Sequence, residues 1–348
     1  MIGGLAVEVI PYALPFRRTY KAAPGVLRRR EMVLLLLRDN NGLEAFGEAV
    51  PLSLRGGEGL AAVVAALDEW AARAEQGEAP QPDGPAPARC AIATALADLE
   101  AKRLDIPLWE FLAGNREPNP VRCNGTIGAG PVPEVAEQAA ALVDSGFSRV
   151  KAKVGTPGDA AMVRAIRDSI GNRALLRLDA NGAWTPEQAI SFVRKVGPDS
   201  IELLEQPARD LPGLAEVRES IDIPVVADES VATPDEAREA ARLGACDAAT
   251  VKISKVGGLD GRLGGHLPTY LSSALDGPVG IAAAGHLAAT FPVDGPTGPL
   301  FHGLATGTLF DGTIALQGPE MEGETLRLPD GPGLGVELDR AALDRFRL

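Results

Sequence analysis

The chain has 348 residues, of which 45% are hydrophobic and 23% are charged, and its formal net charge is −13 at pH 7. This length accommodates a barrel of about 200–250 residues and a smaller domain, while the acidic balance argues against nucleic acid or anionic membranes as partners. Because the sequence has neither an apolar run of about 18 residues nor a basic leader with an apolar core, we expect a cytoplasmic protein without a transmembrane helix.

The first third of the chain has the pattern of an α+β unit. Its predicted elements are strands at 5–10, 31–37 and 43–48, an Asn-Gly hairpin at 39–42, and helices at 59–76, at 88–103 and from 107 onward. A polar segment with two prolines, 114–120, then predicts a domain boundary. We therefore expect a first domain at 1–115, joined by the C-terminal segment 322–348, and a second domain at 120–321.

Two loops of this unit are candidates for substrate contact. Segment 16–30 is basic in an acidic protein. It is either a solvated loop or a flap that contacts an anionic substrate, with Arg18 as the candidate residue. Segment 53–57 is rich in glycine and is either a plain turn or a second contact, through Arg55. Composition alone leaves both alternatives open.

Five short hydrophobic runs follow, and each ends in a charged residue. These residues are Lys153, Asp179, Glu205, Asp228 and Lys252, at intervals of 26, 26, 23 and 24 residues. A β-strand, a crossover helix and two loops need about this length. Two of the intervening helices open with Thr-Pro, an N-cap followed by the favoured first-turn proline. The pattern predicts a parallel α/β barrel with charged residues at the carboxyl ends of its strands, where such barrels have their active sites.

The acidic strand ends predict a metal site. Asp179, Glu205 and Asp228 would repel one another unless a cation lay between them, and an all-oxygen site suits Mg²⁺ or Mn²⁺. Such a cation has coordination positions left for a substrate carboxylate. It stabilises the negative charge that develops when the proton α to that carboxylate is removed to give an enediolate.

The lysines at the same strand ends are candidate acids and bases. Lys151 and Lys153 are two residues apart, so they share one face of a strand. Each disfavours protonation of the other, which lowers a lysine pKa toward the working pH. Lys252 lies four strands further on, roughly across the barrel. Lys151 is either an assisting base or the structural partner of a carboxylate. Asn124, on the first barrel strand, and Ser254, just after Lys252, are further candidates for substrate contact.

The remainder of the chain has a weaker pattern. We predict a helix at 267–275, a seventh short strand at 279–282, and an irregular loop and helix across 301–310. The segment from 324 to 339 is predicted to be extended and to pack back on the first domain.

With these residues in hand, the chain resembles the enolase superfamily, in its muconate-lactonizing-enzyme subgroup. The matching motifs are Gly47-Glu-Ala-Val-Pro51, Lys151-Ala-Lys153, Asp179-Ala-Asn181, Glu205-Gln-Pro207, Asp228-Glu-Ser230, Lys252 with Val256-Gly-Gly258, and the segment 331–339. The resemblance implies an α+β capping domain, a modified TIM barrel of (β/α)₇β type, and one Mg²⁺. It also implies these site residues: metal ligands Asp179, Glu205 and Asp228; acid/base lysines Lys153 and Lys252, assisted by Lys151; and Asn181 and Glu229 beside the ligands.

The same resemblance implies a small carboxylate substrate and leaves the oligomeric state open, a homo-oligomer included. Segment 302–307 is similar to a Gly-Leu-x-Thr stretch of o-succinylbenzoate synthases. This similarity favours the dehydration that forms o-succinylbenzoate in menaquinone biosynthesis. The alternatives are a dipeptide epimerase, an N-acylamino acid racemase, a muconate cycloisomerase, or a non-catalytic barrel that has kept its metal site. Dipeptide epimerases usually have Asp-x-Asp near the last strand, whereas here only Asp294 is available.

Overall fold

The computed structural model describes residues 5–22, 25–53, 56–78, 81–114, 117–295 and 298–348. Its strands are β1 (Ala6–Ala22), β2 (Gly25–Arg38), β3 (Glu44–Ala49), β4 (Val121–Arg122), β5 (Gly125–Ile127), β6 (Arg149–Lys153), β7 (Leu175–Asp179), β8 (Leu203–Glu205), β9 (Val225–Ala227), β10 (Ala248–Val251), β11 (Thr269–Leu271), β12 (Asp294–Gly295), β13 (Gly298–Pro299), β14 (Ala315–Gln317), β15 (Glu320–Glu322), β16 (Thr325–Arg327) and β17 (Glu337–Leu338). Its helices are α1 (Leu60–Glu75), α2 (Ala86–Arg103), α3 (Leu108–Ala113), α4 (Val132–Asp144), α5 (Asp159–Ile170), α6 (Pro186–Val196), α7 (Leu211–Ser220), α8 (Pro234–Leu243), α9 (Ile253–Val256), α10 (Pro278–Ala288) and α11 (Arg340–Phe346). No helix of these described ranges combines the length and the hydropathy that a membrane span requires.

The N-terminal sheet is antiparallel, in the order β1-β2-β3. Both of its faces are buried, which explains the unbroken hydrophobic run in β2. Val33, Leu35 and Leu37 pack against α1 and α2, whereas Leu34 and Leu36 face the larger core shared with the barrel. The sheet is therefore a layer between two cores.

The basic segment 16–30, predicted to be a loop, is instead the extension of the β1–β2 hairpin. Beyond a register shift, Tyr20 pairs with Leu27 and Lys21 with Val26. The prediction was wrong because the arginines in this segment obscure the alternation of side chains, and cross-strand pairing compensates for their low strand preference.

Seven parallel strands, β5 to β11 in sequence order, form the second sheet. Bridges from His302 to Cys123 and from Gly303 to Ser272 connect the two edges of this sheet, so it closes as the modified TIM barrel that the sequence predicted. The Thr-Pro openings behave as expected: Thr185 and Thr233 are N-caps of α6 and α8, each within a complete capping box. The carboxyl ends of the strands consequently meet at one rim.

Two elements of the later barrel differ from the prediction. The segment predicted as a helix at 267–275 contains strand β11, and the strand predicted at 279–282 lies inside helix α10. Every residue of α10 from Val279 to Ala288 is buried. A helix that is apolar all round has no periodicity, so its sequence cannot be distinguished from that of a buried strand.

The C-terminal segment contacts both parts of the molecule. Strand β16 pairs with β4 at the start of the barrel, and the Leu348 N–H donates to the Pro11 carbonyl of the cap sheet over 3.0 Å. The Leu334 N–H donates to Asp98 of α2 over 2.7 Å. The tail thus contacts both units, while the domain organisation, with 1–115 joined by 322–348 and a second domain at 120–321, stays a prediction.

A buried glutamate joins the cap sheet to the barrel. Glu48 of β3 accepts hydrogen bonds from the Tyr12 hydroxyl at 2.9 Å and from the Gly277 N–H at 2.6 Å, at the start of α10. Burial, together with the nearby Asp276 carboxyl, raises the pKa of Glu48 to about 7. Folding therefore favours the protonated form of this side chain.

We predict that this glutamate makes stability fall as pH rises. Between the unfolded pKa of 4.5 and the folded pKa of about 7, Glu48 binds its proton more tightly in the folded chain than in the unfolded chain. The stability that this difference contributes is therefore lost as pH rises through this window. Between pH 5 and pH 8, the unfolding free energy of Glu48→Gln should fall by roughly 2 kcal/mol less than that of wild type. Urea unfolding at several pH values measures this, with the exposed Glu219→Gln as control. Parallel profiles for wild type and Glu48→Gln would contradict the prediction.

Candidate active site

Five charged residues meet at the carboxyl rim of β6 to β10. In the parallel register Lys153 lies beside Asp179, and Asp179 lies beside Glu205. Asp228 directly follows β9 and Lys252 directly follows β10. None of the five is more than 4% exposed. The structure thus brings together the residues that the regular sequence spacing singled out.

The three carboxylates form a compact group. Asp179, Glu205 and Asp228 each offer an oxygen, and these atoms lie within 4.8 Å of one another. The Oε1 atom of Glu205 is buried and accepts no hydrogen bond from any residue in the described ranges. A buried carboxylate oxygen without a partner is costly, whereas it is a ready ligand for a hard cation. The donor set and this oxygen therefore fit Mg²⁺ or Mn²⁺.

Lysines balance the charge of this group. The Lys151 Nζ lies 2.6 Å from Glu205 Oε2 and 2.9 Å from Asp179 Oδ2, and the Lys153 Nζ lies 2.5 Å from Asp179 Oδ2. Lys252 is paired with Asp228. Three ammonium groups thus face three carboxylates, which makes the assembly close to neutral.

The pKa values follow from these contacts. Burial lowers the pKa of Lys151, but the Asp179 and Glu205 carboxylates outweigh burial and raise it well above its ordinary value. This direction for Lys151 is opposite to the lowering that the Lys151–Lys153 pair alone would cause, because the nearest charges of Lys151 are carboxylates and not Lys153. Burial raises the pKa of Asp179, yet the two lysines hold it well below its usual range. Burial and the Asp179 charge raise the pKa of Glu205.

Asn181 and Glu229 extend the site on the Lys153 side. The Asn181 side chain accepts a hydrogen bond from Lys153 Nζ at 3.0 Å and donates to Glu229 Oε1 at 2.9 Å. Its own N–H donates to Asp179 Oδ1 at 3.0 Å, and its φ is +48°. This left-handed conformation is one that asparagine tolerates better than most residues. It directs the amide toward the lysine.

A cavity opens above the lysines, between the cap and the barrel. The side chains that line it are Tyr20, Leu27, Arg30, Pro51 and Leu52 from the cap, and Thr126, Lys151, Lys153, Lys252, Ser272, Ser273, Ala274, Leu275 and Thr306 from the barrel. Among the described residues of this lining, four are cations and none is a carboxylate. The lining itself is thus cationic, although its three lysines are paired with the carboxylates of the metal-ligand group, which do not line the cavity.

Comparison with known proteins agrees with this geometry. Residues 134–342, more than half of the chain, match the family described as enolase C-terminal domain-like. The chain is 30% identical over 371 residues to muconate cycloisomerase 1-2 of Acinetobacter lwoffii, which covers 98% of this chain and 94% of the relative.

This chain belongs to the enolase superfamily. It is an enzyme of the muconate-lactonizing-enzyme subgroup. It is 29% identical over 364 residues to L-Ala-D/L-Glu epimerase of Bacillus subtilis (strain 168), with 95% of this chain and 96% of the relative covered. It is 37% identical to o-succinylbenzoate synthase of Thermobifida fusca (strain YX), but over 186 residues that cover 50% of this chain and 58% of the relative. A dipeptide epimerase from Enterococcus faecalis V583, complexed with Mg and L-Leu-L-Tyr, has a TM-score of 0.84 at 27% identity, with 95% of this chain and 99% of that chain covered.

Three of the four predicted substrate contacts, Arg18, Asn124 and Ser254, lie outside the cavity lining. Arg18 is exposed and lines a separate groove beside the hairpin. Asn124 is buried and accepts from Arg177 at 3.4 Å, and Ser254 is buried in α9. Arg55 lies outside the described residues. The basic segment does contribute to the cavity, but through Arg30, because alternation along β2 directs that residue inward.

Sequence reasoning also missed two neighbours of the metal-ligand group. The Tyr270 hydroxyl donates to Glu205 Oε2 at 3.2 Å. Lys255 of α9 contacts the Asp228 carbonyl and donates to the Val231 carbonyl at 3.0 Å. A correct strand assignment for 269–271 would have placed Tyr270 at the inner face of the barrel. Nothing in the local sequence indicates that Lys255 turns back toward Asp228.

We predict that Glu205→Gln weakens Mg²⁺ binding by about 100-fold or more, since loss of a ligand should exceed the 10–100-fold effect of losing a ligand's neighbour. Isothermal titration calorimetry on the metal-free protein measures the affinity. Glu219→Gln is the control, because this glutamate is exposed at the end of α7 and has no part in the metal-ligand group. Equal affinities for the two variants would show that Glu205 is not a ligand.

Proposed function

We propose that this enzyme removes the proton α to a carboxylate of a small dianionic substrate, and that its reaction is the dehydration that forms o-succinylbenzoate in menaquinone biosynthesis. The observation that supports this most is the cavity lining, in which Arg30 and three lysines face the substrate space and no described residue is acidic. Both o-succinylbenzoate and its cyclohexadiene precursor have two carboxylates. The similarity to o-succinylbenzoate synthase over half of the chain is consistent with this choice.

Asp179, Glu205 and Asp228 would hold the divalent cation, Mg²⁺ or alternatively Mn²⁺. When bound, the cation would stabilise the negative charge that develops on the substrate carboxylate. The remaining chemistry belongs to side chains of this chain. The rigid parallel strands of the rim leave these side chains little freedom to move. Fixed charges of this kind stabilise a transition state without having to reorganise during the reaction.

Lys153 is the proposed base. It lines the cavity, and its contacts with Asp179 and Asn181 direct the Nζ atom. In its neutral form, which a bound cation would favour, it would take the α-proton of the precursor and then return that proton to the departing hydroxyl, so that water leaves and the ring becomes aromatic. Lys252, from the opposite side of the barrel, would stabilise the anion as a cation. Lys151 would stay charged between Asp179 and Glu205, as a structural and electrostatic partner.

The second carboxylate of the substrate would lie toward the cap. Arg30 is 7% exposed, and its Nη2 donates to the Pro51 carbonyl at 2.7 Å, which fixes the guanidinium at the cavity wall. On the barrel side, the Thr306 Oγ1 atom is buried without a hydrogen-bond partner among the described residues. A substrate oxygen would satisfy it. A substrate ammonium, in contrast, finds no carboxylate in this described lining.

We predict that the wild-type enzyme with Mg²⁺ converts the cyclohexadiene precursor with a kcat/KM of about 10⁴ M⁻¹s⁻¹ or more. Lys153→Ala should lower kcat by about 10²–10⁴-fold, the usual contribution of a general base. The ultraviolet absorbance change on aromatisation measures both rates. Lys195→Ala, an exposed lysine on α6, is the control and should keep wild-type activity. Absence of turnover by folded, metal-loaded wild type would refute the synthase assignment.

A second candidate is racemisation of an N-acylamino acid or epimerisation of a dipeptide. Lys153 and Lys252 line the cavity from strands on opposite sides of the barrel, the arrangement that two bases acting on opposite faces of one carbon require. The nearly full-length similarity to an epimerase is consistent with it. An N-acylated amino acid with an acidic acyl group also suits the cationic cavity better than a dipeptide with a free ammonium.

We predict that incubation of such N-acylamino acids with the enzyme in D₂O introduces deuterium at the α-carbon only if this second reaction operates. Each lysine variant then has its own signature. Lys153→Ala and Lys252→Ala should each abolish exchange for one enantiomer and leave slow exchange for the other. Proton NMR of the α-position follows the reaction. No exchange with either enantiomer, in an enzyme that converts the cyclohexadiene precursor, would eliminate the second candidate.

A further inference from the structure

Tyr270 is a buried side chain that the catalytic scheme above does not use. It lies on β11, and its hydroxyl donates to Glu205 Oε2 at 3.2 Å. Glu205 is on β8, which is separated from β11 in the sheet by β9 and β10. The hydrogen bond therefore runs across the interior of the barrel, between strands that do not pair.

The two carboxylate oxygens of Glu205 have different surroundings. Oε2 accepts from Lys151 Nζ at 2.6 Å as well as from Tyr270, whereas the buried Oε1 accepts from no described residue. Two donors on one oxygen fix the orientation of the carboxylate plane. Oε1 is thus the Glu205 oxygen that is left without a donor, and it is available to a cation held together with Asp179 and Asp228.

The ring of Tyr270 is itself held in place. Tyr270 is 6% exposed and packs in a small core with Leu203 and Val226. The Arg177 guanidinium lies 5.7 Å from the ring centroid and is held by hydrogen bonds to Glu202 at 2.7 Å and to the Phe301 carbonyl at 2.9 Å. The hydroxyl thus has a fixed position relative to Glu205, and it is not merely near it.

We propose that Tyr270 is a positioning residue of the metal site, which presents Glu205 Oε1 as the single ligand atom of this glutamate. It acts through Glu205 and does not touch the substrate. The inference rests on the metal site of the proposed function and not on the choice of substrate. A protein that binds Mg²⁺ but does not convert the cyclohexadiene precursor would therefore leave it intact.

The test is Mg²⁺ binding by Tyr270→Phe, which removes the hydroxyl and keeps the ring. Groups that orient a metal ligand typically contribute 10–100-fold to affinity, so we expect an affinity at least about 10-fold lower by calorimetry of the metal-free protein. If the affinity is tenfold lower, an equal saturating concentration of Mg²⁺ should raise the unfolding free energy of the variant by about 1.4 kcal/mol less than that of wild type. Without metal, the two proteins should melt at similar temperatures. Tyr270→Leu, which also lacks the hydroxyl, is titrated beside it in case Tyr270→Phe folds poorly.

Tyr12→Phe is the matched control. Tyr12 is equally buried and donates to a glutamate, Glu48, at 2.9 Å, but that glutamate joins the cap to the barrel. The Tyr12→Phe variant should bind Mg²⁺ as tightly as wild type does. Unchanged affinity in Tyr270→Phe, or an equal loss in Tyr12→Phe, would overturn the proposal. So would a lower melting temperature of Tyr270→Phe with full affinity, the result of a purely structural role. Wild type that binds no Mg²⁺ would overturn it together with the metal site.

Discussion

The repulsion among three buried carboxylates is the constraint on which the rest of the site depends. At the 4.8 Å within which their oxygens lie, each pair of negative charges costs about 3–4 kcal/mol with an effective dielectric constant near 20. Such a group persists only if positive charges compensate it. Lys151, Lys153 and Lys252 provide that charge from neighbouring strand ends. Lys153, the base that we propose, is thus also one of the side chains that compensate the acidic group.

The barrel satisfies this constraint through register alone. Parallel strands place Lys153, Asp179 and Glu205 at one level of the sheet, so the backbone fixes the spacing of the charges before any side chain adjusts. The cap sheet then covers the rim and is held to the barrel by the Glu48 hydrogen bonds to Tyr12 and Gly277. Covering the rim excludes water, which strengthens every electrostatic interaction below it.

The same register explains what could be predicted from the sequence. Strand ends with charges at regular intervals reveal the barrel, the metal-ligand group and the lysines, because successive βα units place their charged residues at the same end of each strand. Contacts between distant segments leave no such pattern. Arg30, Thr306 and Tyr270 come from a cap strand, a 3₁₀ turn and a strand that we predicted as a helix. Helix α10 was missed for a different reason, since a uniformly buried segment has no period to detect.

This difference separates the chemistry of the site from its specificity. Removal of an α-proton needs only the strand-end residues, which epimerases, cycloisomerases and synthases of the superfamily could share, so overall similarity does not decide among these reactions. The cavity charge does bear on the choice. A substrate ammonium about 8 Å from the Arg30 guanidinium is disfavoured by about 2 kcal/mol at a dielectric constant near 20, whereas the three lysines of the lining are paired with carboxylates. A second carboxylate at the same place is favoured by a similar amount. The strand ends thus carry the residues of the reaction that we propose, and the cap and the last turn of the barrel carry the residues that bear on its substrate.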